Sequence, residues 1–174
     1  KKMPIVIKYD GLAAGKGVDI CETLEDAKFS IKKLLKPGEK IIIEDFIKGI
    51  ELSAIYICNP NASKKTIGLP WIKDYKSRDE FNSGPNTGGM GAISHPFCSY
   101  KKNDVYSINV EIEKILIKTL VNINSNSGSK SKYNGFIYLG LMLSTAEDKP
   151  FILEYNCRMG DPETQNIIMY LDKN

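Results

Sequence analysis

Phe151 to Gln165 reads FILEYNCRMGDPETQ. The stretch opens as an apolar strand, Phe151-Ile152-Leu153, and then sets Glu154, Asn156 and Arg158 at alternate positions. Residues i and i+2 of a strand share a face, so if the strand persists a carboxylate, an amide oxygen and a guanidinium converge there. Two oxygen ligands suit Mg²⁺, which takes few protein ligands and completes its shell with water and phosphate. The guanidinium adds a rigid fork for phosphate or carboxylate. The same letters also describe a strand ending in a polar turn, with Asp161-Pro162 opening a helix. Taken alone, they leave both readings open.

Upstream, Phe136 to Ser144 is a second strongly apolar strand, and it pairs with the first across a turn at Ala146 to Lys149. Before it, Val105, Ile108, Ile112, Ile115, Leu116, Leu120 and Ile123 form one apolar stripe at helical spacing, which predicts a helix over Val105 to Ile123. Asn124 to Lys132, NSNSGSKSK, is polar and of low complexity and reads as a mobile surface insert. Gly84 to Gly91, GPNTGGMG, holds four glycines in eight residues and cannot pack a core. It is either a mobile linker or a loop pinned by ligand contacts.

The N-terminal part has its own pattern. Ile5-Val6-Ile7 is a β-branched strand ended by Lys8, and Asp10 to Gly17, DGLAAGKG, joins it to a second short strand over Val18 to Cys21. Backbone N–H groups of such a loop can close over an anion, since glycine permits tight turning and close approach. The alternative is an ordinary hairpin with two solvated lysines. The loop is not a Walker loop, because three residues rather than four separate Gly11 from Gly15-Lys16 and Gly17 follows in place of Ser or Thr. Thr23 reads as the N-cap of a scaffold helix with Glu25 and Asp26 in its first turn. Ile41 to Ile43 is a strand running into Glu44-Asp45-Phe46-Ile47; Gly49 permits a turn, and Leu52 to Cys58 and Thr66 to Trp71 read as further strands. Glu44 and Glu51, seven residues apart around that turn, are either surface charges or the two sides of a cleft between lobes.

Composition narrows the classes. The 174 residues suit one domain or a piece of a larger protein, and 42% hydrophobic with 26% charged residues is a globular balance. Twenty-four basic against 21 acidic residues leave a net charge of +3 with no basic run, which argues against nucleic acid as the main partner. No apolar stretch approaches the roughly 18 residues of a membrane span, and no leader pattern precedes the first strand. Cys21, Cys58, Cys98 and Cys157 form no CxxC pair and His95 is the one imidazole, which argues against zinc, a disulfide framework and a Cys-His nucleophile and for a reduced, cytoplasmic protein. The abrupt ends read as a piece cut from a longer polypeptide.

Four blocks together carry a resemblance: PIVIKYDGLAAGKGV (Pro4 to Val18), IIIEDFIKGIELS (Ile41 to Ser53), KDYKSRDEFNSGPNTGGMGA (Lys73 to Ala92), and FIYLGLM with ILEYNCRMGDPETQ (Phe136 to Met142 and Ile152 to Gln165). In this order and spacing they resemble the phosphoribosylamine–glycine ligase (glycinamide ribonucleotide synthetase) family of ATP-grasp enzymes. The resemblance implies an α/β (α+β) ATP-grasp fold truncated at both ends, with a small lid lobe over residues 1–47, a central mixed or antiparallel sheet lobe over 48–174, and the mobile insert near 124–132. It implies ATP with Mg²⁺ (or Mn²⁺), and glycine and phosphoribosylamine as substrates, with no nucleic-acid or membrane partner and with N- and C-terminal domains of the same polypeptide outside this chain.

By the same resemblance Lys8 holds the α- and β-phosphates and shares the catalytic role with Arg158, and the loop with Gly11, Gly15, Lys16 and Gly17 folds over the triphosphate. Glu44 takes the adenine amine, the backbone near Phe46 meets the ring, and Glu51 binds the ribose hydroxyls. Glu154 and Asn156 are the metal ligands. Asp74, the loop residues Asn86, Thr87, Gly88 and Gly89, and Asp161 and Glu163 belong to the pocket for glycine and phosphoribosylamine. The implied reaction activates glycine as glycyl phosphate, which the amine of phosphoribosylamine attacks. The chain departs from the family's usual Gln-Asp-His-Lys at Lys73-Asp74-Tyr75-Lys76 and from Gly-Glu-Glu at Gly49-Ile50-Glu51, and no acid stands on the strand Phe136 to Ser144, so Glu154 is expected to bridge both ions. The rival readings are another ATP-grasp carboxylate-amine ligase and an inactive nucleotide-binding piece.

Overall fold

The β-branched run at the start forms strand β1 (Ile5–Tyr9) in a computed structural model that describes residues 2–11, 17–63, 65–80, 83–94, 102–126 and 132–171. After it come β2 (Val18–Cys21), α1 (Leu24–Leu34), β3 (Ile41–Asp45), β4 (Gly49–Cys58), β5 (Thr66–Gly68), β6 (Ile72–Asp74), β7 (Ser77–Asp79), β8 (Ser83–Asn86) and β9 (Ala92–Ser94). The chain continues through α2 (Lys102–Asn126), β10 (Gly135–Ser144), β11 (Pro150–Asn156) and α3 (Glu163–Leu171). Gly15, Lys16, His95 and Cys98 lie outside the described residues. The chain divides into two units, Lys1–Lys48 with Ser77–Gly88, and Gly49–Lys76 with Gly89–Asn174. The segment Ser77–Gly88, expected with the second lobe, clusters with the first.

In the first unit β1 is the centre of an antiparallel sheet ordered β2-β1-β3. Alternation turns Ile5, Ile7 and Cys21 toward Ala27, Ile31 and Leu34 of α1, and these make the unit's core. Helix α1 starts where the sequence predicts: Asp26 N–H donates to Thr23 Oγ1 at 3.1 Å while Thr23 N–H donates to Asp26 Oδ2 at 2.9 Å, a reciprocal capping box. Thr23→Ala is expected to cost about 1 kcal/mol, read as a lower urea midpoint for unfolding of this unit. Strands β7 and β8 pair antiparallel, so Gly84 to Asn86, expected in a loop, belong to a strand. Gly84 has a φ of +77°, and a Cβ there would stand 2.1 Å from Asp79 Oδ2, so the hairpin requires the glycine twice over.

The second unit is built on an antiparallel sheet ordered β11-β10-β4-β6-β9, with β5 also against β4. Strand β4 starts at Gly49, three residues before the expected Leu52, because Gly49 serves close approach and not a turn: a Cβ there would fall 2.1 Å from the Leu143 carbonyl oxygen of β10. The strand expected over Thr66 to Trp71 stops at Gly68, and β6 resumes at Ile72 past Pro70, which has no N–H to give a ladder. One sheet face packs Leu52, Ala54, Tyr56, Ile137, Leu139, Leu141 and Leu143 on Ile108, Ile112 and Leu116 of α2. The other packs Ile55, Ile72 and Tyr138 on Ile167 of α3. Helix α2 outruns the expected range at both ends, and Ile123, expected in its apolar stripe, is 38% exposed. Asn124 to Asn126, expected in the mobile insert, are the last residues of α2, and residues 127–131 lie outside the described ones.

Candidate functional site

In the first unit, strand alternation gives Val6 and Lys8 one face and the core residues the other. The register of β1 with β2 and β3 puts Val18, Ile20, Ile42 and Glu44 on the face of Lys8. Helix α1 does not cover it: Ile20 is 58% exposed and Val18 and Ile42 are exposed as well. In this apolar setting Lys8 Nζ and Glu44 Oε2 form an ion pair at 2.7 Å. The mouth of the glycine loop is closed by Tyr9 N–H donating to the Gly17 carbonyl at 2.8 Å. Gly11 lies on the Tyr9 ring, where a Cβ would come within 2.5 Å of Cε1, and the Tyr9 hydroxyl donates to Glu39 Oε1 at 2.8 Å. Phe46 is half-buried just past β3. Asn86 ends β8, opposite Ser77, and Thr87 and Gly88 follow it in the same unit.

In the second unit the face packed on α3 carries the polar groups. Ser53, Gly140 and Glu154 stand in line across β4, β10 and β11, and Tyr138 pairs with Asn156 one step along. Gly140 is where Glu154 leans, since a Cβ at 140 would meet Glu154 Cγ at 2.8 Å. Asn156 Nδ2 donates to Glu154 Oε1 at 3.3 Å. An amide's O and N are assigned by network, and with the amide turned over Asn156 presents an oxygen beside that carboxylate. These are hard oxygen donors, and they fit a Mg²⁺ completed by water and phosphate oxygens. Among the described residues no three or more His, Cys, Asp and Glu cluster as a metal cage. Arg158 departs from the expected alternation: β11 ends at Asn156, and the exposed Arg158 guanidinium donates to the Met159 carbonyl at 2.8 Å in the following turn.

Beside this row, Glu51 Oε1 receives Lys76 Nζ at 2.6 Å. Burial pulls the Lys76 ammonium down, but the Glu51 carboxylate outweighs it and holds the group above the ordinary lysine value. Asp74 lies within two residues of Lys76, and its Oδ1 is buried without a hydrogen-bond partner. Burial first, then the nearby Glu163 charge, push its carboxyl up to about 6, with Glu51 adding and Lys76 and the Tyr75 N–H opposing. Gly89 has a φ of +123° and is wedged between Pro162 and Asp74 Oδ1, 2.8 and 3.4 Å from where a Cβ would sit. Backbone bonds between Tyr75 and Met90 and Gly91 pin this half of the glycine segment, so protein pairing holds it.

Glu163, expected to face substrate, is turned into the sheet. It is 2% exposed, and its Oε1 receives Ser53 Oγ at 2.7 Å and Tyr138 OH at 3.1 Å. Burial, then the Glu163 charge, hold the Tyr138 phenol above its ordinary value. Asp161 stays exposed and accepts from Gln165 Nε2 at 2.7 Å.

Residues 1–164 match the family described as phosphoribosylglycinamide synthetase, ATP-grasp (A) domain. The chain belongs to this ATP-grasp domain family. The phosphoribosylamine–glycine ligase of Clostridium acetobutylicum is 41% identical over 179 residues, covering 98% of this chain and 39% of the relative. The crystal structure of the Thermotoga maritima phosphoribosylamine–glycine ligase superposes with a TM-score of 0.74 at 37% identity, over 97% of this chain and 41% of that one. An L-amino acid ligase structure from Bacillus licheniformis, at 18% identity and a TM-score of 0.61, shares the fold. The chain thus spans about 39% of the length of the curated relatives it matches.

Three residues of the ATP-grasp domain's polar face escape the motif reading: Lys76, Ser53 and Tyr138. Tyr138 carries a faint signal, a hydroxyl tip inside an apolar strand that needs a partner once buried. Lys76 and Ser53 carry none, because their acid partners lie 25 and 110 residues away in sequence.

Proposed function

We propose that this chain is the nucleotide-binding and phosphoryl-transfer part of an ATP-dependent ligase that joins glycine to 5-phosphoribosylamine, giving glycinamide ribonucleotide, ADP and phosphate, in the cytoplasmic synthesis of purines. The observation that carries the reading is the exposed Glu154 beside Asn156 near the end of β11, at 3.3 Å, in an ATP-grasp domain whose relatives bear that ligase name. We assign Lys8 to the α- and β-phosphates, Gly11, Gly15, Lys16 and Gly17 to the triphosphate, Glu44 and Phe46 to adenine and Glu51 to ribose. The exposed apolar groups around Lys8 and Glu44 support this, since a flat base needs such walls.

Glu154 and Asn156 would hold Mg²⁺, which supplies charge neutralisation to the phosphate oxygens. No protein nucleophile is required. Arg158 lends a guanidinium to the acyl phosphate of glycine, and its present partner, a backbone carbonyl, is one it can exchange for an anion. Lys76 holds Glu51 and remains charged through neutral pH, which keeps a second cation near the same carboxylate face. Asp74, Asn86, Thr87, Gly88, Gly89 and Asp161 are assigned to the substrates. Phosphoryl transfer needs chiefly this positioning and neutralisation.

Calorimetry with Mg-ATP on the 174-residue protein and an ADP-release assay on an intact polypeptide carrying it test the reading. Binding by the chain, and glycine- and phosphoribosylamine-dependent ADP release by the intact polypeptide, are expected. ADP release indifferent to glycine contradicts it. Lys8→Ala should weaken Mg-ATP binding roughly 10- to 100-fold, as expected for loss of a charged hydrogen bond worth about 1.5–3 kcal/mol. Unchanged binding removes Lys8 from the phosphate site.

A further inference from the structure

Glu163 is the first residue of α3 and, among the described residues, the one buried acid, and its surroundings read as a clamp. Its Oε1 takes the Ser53 hydroxyl at 2.7 Å and the Tyr138 hydroxyl at 3.1 Å, and those two oxygens stand 2.8 Å apart. Two hydroxyl hydrogens serve three oxygens, and the carboxylate oxygen accepts from both hydroxyls. Gly160 forms the back wall, for a Cβ there would lie 2.2 Å from Glu163 Oε2. The Thr164 N–H donates to the Gly160 carbonyl at 3.1 Å, so the turn and the helix start are one piece. Pro162 of that piece presses on Gly89, whose other side faces Asp74 Oδ1.

We infer that Glu163 is a positioning residue: tied to β4 and β10 through Ser53 and Tyr138, it sets the turn from Arg158 to Pro162 against Gly89 and lays a fixed negative charge beside Asp74. The inference deepens the ligase reading and rests on it for the consequence at the substrates. A carboxylate 2% exposed, with one oxygen filled by two hydroxyls and the other backed by Gly160, has no open side for a ligand. What it reaches is Asp74, where burial and the Glu163 charge act together to favour the protonated form. Glu51 acts in the same sense from β4, while Lys76 and the Tyr75 N–H act against it. Removing the charge at 163 must therefore make Asp74 easier to ionise and move its midpoint down. On the ligase reading Asp74 serves the substrates as a carboxylate, so the acid limb of the rate profile moves down with it.

Glu163→Gln separates charge from shape, because its amide oxygen still accepts from both hydroxyls. The test follows the Asp74 side-chain carboxyl carbon by NMR through a pH titration of the 174-residue protein. A midpoint near 6 is expected in the parent and a lower one, toward the ordinary carboxylate value, in Glu163→Gln. In the intact polypeptide the same variant should shift the acid limb of the glycine-dependent rate downward and leave the KM for ATP in place. An unmoved Asp74 midpoint in a folded Glu163→Gln protein overturns the inference and makes Glu163 merely structural. Failure of the ligase reading would appear separately, as parent polypeptide that releases no ADP in response to glycine whatever the titration shows.

Discussion

Glu154→Ala is expected to cut glycine-dependent ADP release by the intact polypeptide about 10²–10³-fold, and Arg158→Ala by a similar factor, the usual worth of a group that stabilises developing charge. Both side chains are exposed. Neither substitution touches a core cluster, so stability should stay within about 0.5 kcal/mol of the parent and the loss cannot be laid to unfolding. The mechanism differs between the two. Glu154 is held by strand geometry, opposite Gly140 and one alternate place from Asn156, and on the proposed ligase reading its loss removes one of two hard ligands. Gly140→Ala offers a check on that placement, because the added methyl would stand 2.8 Å from Glu154 Cγ and must displace it. Arg158 sits past the strand end, held by its bond to the Met159 carbonyl, and on the proposed reading serves as a cation toward the acyl phosphate. Either alanine variant retaining more than about a tenth of the parent rate would remove that residue from the machinery.

The second large effect is on stability. Leu139 is fully buried in β10, the strand between β4 and β11, and belongs to the cluster with Ile112 and Leu116 of α2. Leu139→Ala removes its transfer energy and leaves a cavity that strands fixed on both sides cannot close, a loss of about 2–5 kcal/mol. That is a large share of the roughly 5–15 kcal/mol a domain of this size commands. Ile123→Ala, on the exposed end of α2, should stay within about 0.5 kcal/mol. Urea unfolding of the two variants decides the matter: a Leu139→Ala loss below about 1 kcal/mol would mean that the cluster does not bear on β10.

Much of this architecture is legible in the sequence because it is local. Thr23 with Asp26 announces α1, and the apolar run before Glu154 announces β11, since caps and alternation are read within a few residues. The nearness of Glu154 and Asn156 is legible for the same reason: it needs only two alternate places on one strand. Arg158 fails that logic because β11 stops two residues earlier, and no residue type in the stretch marks the stop before the turn. Gly84 to Asn86 read as loop by composition, yet pairing with Ser77 to Asp79 makes them strand. The inward turn of Glu163 is not legible at all. Its meaning lies with Ser53 and Tyr138, 110 and 25 residues away, which only the folded sheet brings to one point. Lys76 on Glu51 is hidden in the same way.

On the proposed ligase reading, glycine is activated through its own carboxylate oxygen. Glycine labelled with ¹⁸O in both carboxylate oxygens, given with ATP and phosphoribosylamine to the intact polypeptide, tests it directly. Attack on the γ-phosphate makes one labelled oxygen the bridge of glycyl phosphate, and attack by the amine at the carbonyl carbon releases that oxygen with phosphate. One ¹⁸O per turnover in inorganic phosphate, with the other kept in the amide, is the predicted result. ADP formed with unlabelled phosphate would contradict it.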